Sequence, residues 1–197
     1  TAKAYDILKD MGVRLLIHQP RYSMLAREPE NEGLFDVIAD KKIGAIAFSP
    51  LAQGLLTNRY LNGIPADSRA GGESIFLNEN SITPELVEKA RALNSIAITR
   101  GQSLAQMALQ WVLKDDEVTS VLIGASKPEQ ILENLHVVGA TAFTAEELKI
   151  IDDVLIGAIQ RGKNIIYPQG KDEIRLNDTI LVICRNNKVR ELNDMVK

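Results

Sequence analysis

The chain has 197 residues, is 45% hydrophobic and 25% charged, and carries a net charge of −3. That length suits one domain, or one with a small appendage, and the composition is that of an ordinary globular chain. No basic excess argues for nucleic acid. A single cysteine, Cys184, excludes a disulfide framework and suits a reducing cytoplasm, and no apolar run reaches the length of a membrane span.

Ala2 to Met11 reads as a helix stopped by Gly12. Val13 to Ile17 is a near-continuous apolar run, the mark of a strand covered on both faces. Leu34 to Lys41 is a short amphipathic helix, and Ile43 to Phe48 is a second buried strand. Residues 55–80 are rich in Gly, Asn, Ser and Asp and read as a long functional loop. Thr83-Pro84 opens a helix with a cap residue and a first-position proline, and Gly101 breaks it. Leu104 to Lys114 is the next helix, with Leu104, Met107, Ala108 and Trp111 on one core-facing side. Val118 to Ile123 is a third strand. Ser126-Lys127-Pro128-Glu129 and Thr144-Ala145-Glu146-Glu147 both have capping-box spacing, for helices through Leu135 and to about Leu155. Strands alternating with helices imply a parallel sheet with helical crossovers.

From Ile156 the pattern changes. Residues 156–168 read as a tight hairpin around Arg161-Gly162, residues 178–184 as a strand and residues 188–196 as a closing helix. Consecutive strands with short turns are an antiparallel α+β arrangement, so a boundary is expected near Leu155.

Three strand ends carry polar residues and glycines: Gln19 with Tyr22-Ser23, Ser49-Pro50-Leu51-Ala52-Gln53-Gly54, and Gly124-Ala125-Ser126 with Glu129-Gln130. Barrel strands that hold a site end this way. Backbone N–H groups of residues 51–54, the helix start after Ser126 and the cations Arg59, Arg69 and Lys127 suit the phosphates of a dinucleotide. There is no Gly-x-Gly-x-x-Gly fingerprint, so a Rossmann site is not indicated. The blander readings are that Gln19 is an ordinary strand-end residue, Arg69 a solvated loop charge and Ser126 a mere cap. Trp111 and Met107 are core, and His18 and His136 have no catalytic setting.

These motifs, together with Gly63-Ile64-Pro65, Ser68-Arg69, Gln106-Met107-Ala108-Leu109 and Glu133-Asn134, resemble in order the C-terminal part of the aldo-keto reductases. The likeness is to the branches of potassium-channel β-subunits and glyceraldehyde-3-phosphate reductases. The resemblance implies an α/β fold, the last three strands and helices of an eight-stranded barrel over residues 1–155, and reduction of small carbonyl substrates with NADP(H). It implies that Gln19 contacts the nicotinamide carboxamide and that Phe48 stacks on the nicotinamide, where tyrosine is common. It implies that Ser49, Pro50, Leu51, Gln53 and Gly54 wrap the pyrophosphate and that Arg59, Ser68 and Arg69 contact phosphates. Gly124, Ser126, Gln130, Glu133 and Asn134 fall on the 2′-phosphate and adenine side. Asp67 stands where some relatives carry an aromatic. The family's catalytic acid, a tyrosine assisted by Lys, Asp and His, lies on strands that precede Thr1, so the chain alone is expected to be inactive.

Residues 156–197 resemble the second half of the regulatory C-terminal domain of potassium-uptake (TrkA-type) proteins, through Gly157 to Gly162, Ile165 to Gly170 and Leu176 to Val182. That likeness implies a ligand-binding, dimerising regulatory module. It keeps open two alternatives: a regulatory element of a potassium transport system, or a composite of two unrelated pieces. A homo-oligomer, or a missing N-terminal half, is expected. No nucleic acid, membrane insertion or metal is expected.

Overall fold

The structure, a computed structural model, describes residues 1–72, 74, 77–155, 159–161, 164–166 and 179–180. The elements run α1 (Ala2–Asp10), β1 (Ile17–His18), α2 (Glu28–Asn31), α3 (Leu34–Lys41), β2 (Gly44–Phe48), α4 (Pro84–Thr99), α5 (Leu104–Val112), β3 (Ser120–Leu122), α6 (Pro128–Leu135) and α7 (Ala145–Leu155). Three short strands follow: β4 (Ile159–Arg161), β5 (Asn164–Ile166) and β6 (Thr179–Ile180).

Local chemistry starts the helices. Thr83 Oγ1 accepts from the Leu86 N–H at 3.3 Å, with Pro84 in the first turn of α4. Thr144 and Glu147 form the reciprocal capping box of α7, at 3.1 and 2.7 Å. α6 differs from expectation by one residue. Pro128 is its first residue, Lys127 precedes it, and Gln130 rather than Glu129 reaches back to the cap.

β1, β2 and β3 form a parallel sheet with β2 in the centre. Ile17 pairs with Gly44, Ala47 with Val121 and Phe48 with Leu122. Successive residues of β2 face opposite ways. Ala45 and Ala47 are fully buried against the helices, where α4, α5 and α7 bring Leu93, Ala97, Leu104, Met107, Trp111 and Ile151. The other face holds Ile46 and Phe48 with their neighbours, and it is open: Ile17 is 51% exposed and Leu122 55%. The Val13 to Ile17 strand is accordingly corrected. Only Ile17–His18 is strand, and Val13 and Leu16 are exposed. β1 is an edge with one neighbour, and a ladder extends only as far as its partner does.

β4 pairs antiparallel with both β5 and β6. Residues 169–172, Cys184 and the stretch 188–196, expected as a helix, lie outside the described residues.

Beneath the sheet runs a buried charged network. Tyr22, 2% exposed, packs edge-on to Phe35 at 5.0 Å and tilted on Trp111 at 5.3 Å. Its hydroxyl donates to Glu30, and Lys114 Nζ lies 3.2 Å from that oxygen. Arg27 binds Glu30 and Asp152, each at 2.6 Å. Lys114 lies 3.5 Å from Glu30 and 3.0 Å from Asp115, and over the Trp111 ring at 4.2 Å. Burial alone would raise the Glu30 carboxyl. The Tyr22 hydrogen bond and the Arg27 and Lys114 charges outweigh burial and hold it below the ordinary carboxylate range.

Candidate functional site

The strand ends meet. The Phe48 N–H donates to the Pro20 carbonyl at 2.9 Å and the Tyr22 N–H to the Phe48 carbonyl at 3.3 Å. Arg21 bridges to Phe48, so the chain just past β1 stays against the end of β2. Gln19 is therefore exposed beside the Phe48 end of the sheet. Because Leu122 pairs with Phe48, the segment with Gly124 and Ser126 leaves β3 at that same end.

The loop after β2 is strained. Ser49, Ala52 and Gln53 take φ of 55°, 46° and 59°, and Gly54 takes 98°. Left-handed backbone costs a residue with a side chain roughly 1–2 kcal/mol, and such strain collects at functional sites. Pro50 is buried and Leu51 half-buried. Of the N–H groups expected to face a pyrophosphate, those of Ala52 and Gly54 close turns onto the Ser49 and Leu51 carbonyls, both at 2.9 Å.

The loop beyond folds on its own small core of Tyr60, Ala70 and Leu77 with Leu55, Ile64 and Ile82. This explains how so long a connection holds a shape. Arg59 and Arg69 are exposed on it. Arg59 Nη2 donates to the Asp67 carbonyl at 2.8 Å and pairs with the Asp67 carboxylate at 3.0 Å. Ser68 is buried, and its Oγ accepts from the Gly71 N–H at 3.1 Å. The Arg59–Asp67 pair went unseen in the sequence, though Gly63 and Pro65 between them signal the turn that returns the chain.

At the start of α6, Gln130 Oε1 accepts from the N–H groups of Ser126 and Lys127 at 2.8 and 3.2 Å and from the Ser126 hydroxyl at 3.2 Å. Glu133 is exposed, and Asn134 is buried on the same helix.

Among the described residues, no tyrosine hydroxyl is open at the strand ends. Tyr22 is tied to Glu30, the buried Tyr60 hydroxyl accepts from the Ala70 N–H at 3.3 Å, and Tyr5 lies on α1 under the Lys41 ammonium. Tyr167 is outside the described residues. Clefts of about 580 and 520 Å³, one around Lys42, Asp116 and Thr119 and the other around Arg100, His136 and Thr141, include neither Gln19 nor Phe48. Among the described residues, the strand-end surface is open, with Ile17, Phe48 and Leu122 exposed. It carries the exposed Phe48 ring and the exposed Gln19 amide.

The model of the aldo/keto reductase family matches residues 1–156, and that of the TrkA-C domain matches residues 144–197. The L-glyceraldehyde 3-phosphate reductase of Escherichia coli K12 is 48% identical over 157 residues, covering 77% of this chain and 45% of that protein. A putative voltage-gated potassium channel subunit beta of Schizosaccharomyces pombe is 38% identical over 141 residues, covering 70% and 41%. The solved glycerol dehydrogenase of Gluconobacter oxydans superposes with a TM-score of 0.61 at 27% identity, over 78% of this chain and 46% of that one. The holo form of a Bacillus halodurans aldo-keto reductase gives 0.53 at 26% identity, over 78% and 55%. The chain spans less than half the length of these curated relatives.

Proposed function

Since this chain belongs to the aldo/keto reductase family, we propose that residues 1–155 are the NADP(H)-binding part of a reductase of small aldehydes or ketones. In this reading the parallel strands are the last three of an eight-stranded barrel, and the strands bearing the catalytic acid lie outside the chain. The observation that supports it is that Gln19, between β1 and the Arg21–Phe48 bridge, lies at the same end of adjacent parallel strands as Phe48, the end where a (β/α)-barrel holds its site. The uncovered face with Ile17 and Leu122 supports the partial barrel, because an apolar sheet face needs another layer to cover it.

The bound cofactor would supply a hydride. Gln19 would hold the carboxamide by its side-chain amide, and Phe48 would offer a flat apolar floor to the ring. Ser49 to Gly54 would approach the pyrophosphate, with Arg59 and Arg69 giving charge and Ser68 bracing their loop. The stretch from Gly124 and Ser126 to Gln130, Glu133 and Asn134 would take the 2′-phosphate and adenine. Protonating the carbonyl oxygen needs an acid opposite the hydride donor, and Tyr22 is too deeply tied to Glu30 to serve.

Titration of NADPH fluorescence tests this. Binding with a preference over NADH, and no turnover of simple aldehydes, is expected. Absence of binding, or turnover by the pure chain, overturns it. For the tail, the TrkA-C match favours a dimerising regulatory module. Sedimentation should then find a dimer, and a monomer at high protein concentration overturns that second reading.

A further inference from the structure

We propose that Asp67 is a built-in counter-ion that occupies Arg59 in the cofactor-free protein and competes with the dinucleotide phosphates for it. The proposal deepens the cofactor reading above and rests on it.

The pair is held in place by its surroundings. The Arg59 N–H donates to Thr57 Oγ1 at 3.2 Å, and that hydroxyl donates to the Gly54 carbonyl at 2.6 Å. Arg59 is thus tethered to the glycine end of the strained loop. On the other side, the Ser68 N–H donates to the Pro65 carbonyl at 2.9 Å, and Gly71 donates to Ser68 Oγ. These bonds close the turn that presents Asp67. The Tyr60 hydroxyl joins the two turns through the Ala70 N–H at 3.3 Å. Both partners therefore sit on a common core, and the ion pair is pre-set.

Its chemistry mirrors that of a phosphate. A guanidinium binds a carboxylate and a phosphate by the same fork of N–H donors. Arg59 makes two contacts to Asp67, one to the carbonyl and one to the carboxylate. The pair faces solvent, with the Arg59 side chain 44% exposed and the Asp67 side chain 83%, so an incoming anion reaches it without a lid opening. Arg69, also exposed, stands two residues beyond Asp67. With Asp67 charged, the loop offers an incoming anion about one net positive charge from these three groups. With Asp67 neutral it offers two.

Asp67→Asn removes the charge and leaves the backbone carbonyl. NADPH should then bind about two- to five-fold more tightly at low salt, the range expected for one exposed ion pair. The gain should shrink as salt screens the charges. Inorganic pyrophosphate, read by calorimetry, should show the same gain. Asp67→Glu should stay near wild type, and on an Arg59→Ala background Asp67→Asn should keep only the smaller, salt-screened share that acts through space with Arg69. Equal melting temperatures for wild type and Asp67→Asn show that the loop is intact. NADPH affinity that is unchanged or weaker in Asp67→Asn overturns the Asp67 assignment alone. If neither wild type nor the variant binds NADPH or pyrophosphate, the cofactor reading falls and takes this proposal with it.

Discussion

Replacing Glu30 by Gln tests the buried network directly. The side chain keeps its shape but loses its negative charge and one of two acceptor oxygens, of which one serves Tyr22 and Lys114 and the other Arg27. Removing one partner of a buried ion pair costs about 3–5 kcal/mol. Here Arg27 keeps Asp152 at 2.6 Å and Lys114 keeps Asp115 at 3.0 Å. That places the loss nearer 2–3 kcal/mol, reasoning from the lower end of that range. For a chain of this size, 1 kcal/mol is worth roughly 2–4 °C, so thermal unfolding should occur about 4–12 °C lower at pH 7. Because the folded carboxyl lies below its unfolded value, its contribution is present above the unfolded value and lost as pH falls through the folded one. The gap between wild type and Glu30→Gln should therefore begin to narrow as pH falls below about 4. A double Glu30→Met, Lys114→Met variant should recover much of the loss, because apolar replacement of a buried pair is often neutral. Melting curves for Glu30→Gln within about 0.5 kcal/mol of wild type at pH 7, or a gap unchanged at pH 3, would refute the reasoning.

Gly71→Ala should disorder the Arg59–Asp67 loop, since its Cβ would lie 2.4 Å from the Pro65 carbonyl oxygen. Protease cutting within residues 61–72 should rise while the main melting transition stays, and an unchanged digest would contradict it. Ala52→Gly should be neutral or stabilising by up to about 1 kcal/mol, because glycine relieves the left-handed backbone at Ala52. Denaturant unfolding checks this against Ala108→Gly in α5, which should lose about 1 kcal/mol or more. Leu93→Ala, at a fully buried position, should cost about 2–5 kcal/mol, read as a lower urea midpoint with an unchanged slope.

The elements legible in the sequence are those that local chemistry decides. Thr83-Pro84 and Thr144-Glu147 carry their cap donors and acceptors within one turn, and both caps form. The start of α6 is legible from its proline rather than from its acidic residue. Pro128 at the first helical position makes Lys127 the cap and Gln130 the residue that reaches back. The Val13 to Ile17 run misled because burial of a strand depends on neighbours, and β1 has one. The Glu30 network has no signature at all. Arg27 and Asp152 are 125 residues apart, and no period or spacing links them. At the site, the strand-end residues announced themselves by type. Their internal partners, Asp67 for Arg59, Gly71 for Ser68 and Gln130 for the α6 start, depend on how the loops close.

Those partners share a consequence. Arg59, Ser68 and the α6 start are already satisfied within the chain, so at these groups a dinucleotide would exchange hydrogen bonds rather than add them. An exchange yields only the difference between two partners, which is why a single bond nets about 0.5–1.5 kcal/mol. The partners differ in what they surrender. Gln130 is neutral, and a phosphate replacing it at the α6 start gains charge against a helix dipole that favours anions. Asp67 is itself an anion, and a phosphate replacing it on Arg59 gains only the excess of its charge over that of a carboxylate. The weakest exchange thus sits at the exposed Arg59 and the strongest at the helix start. Affinity for the adenine side should therefore exceed what the count of cations near the pyrophosphate loop suggests.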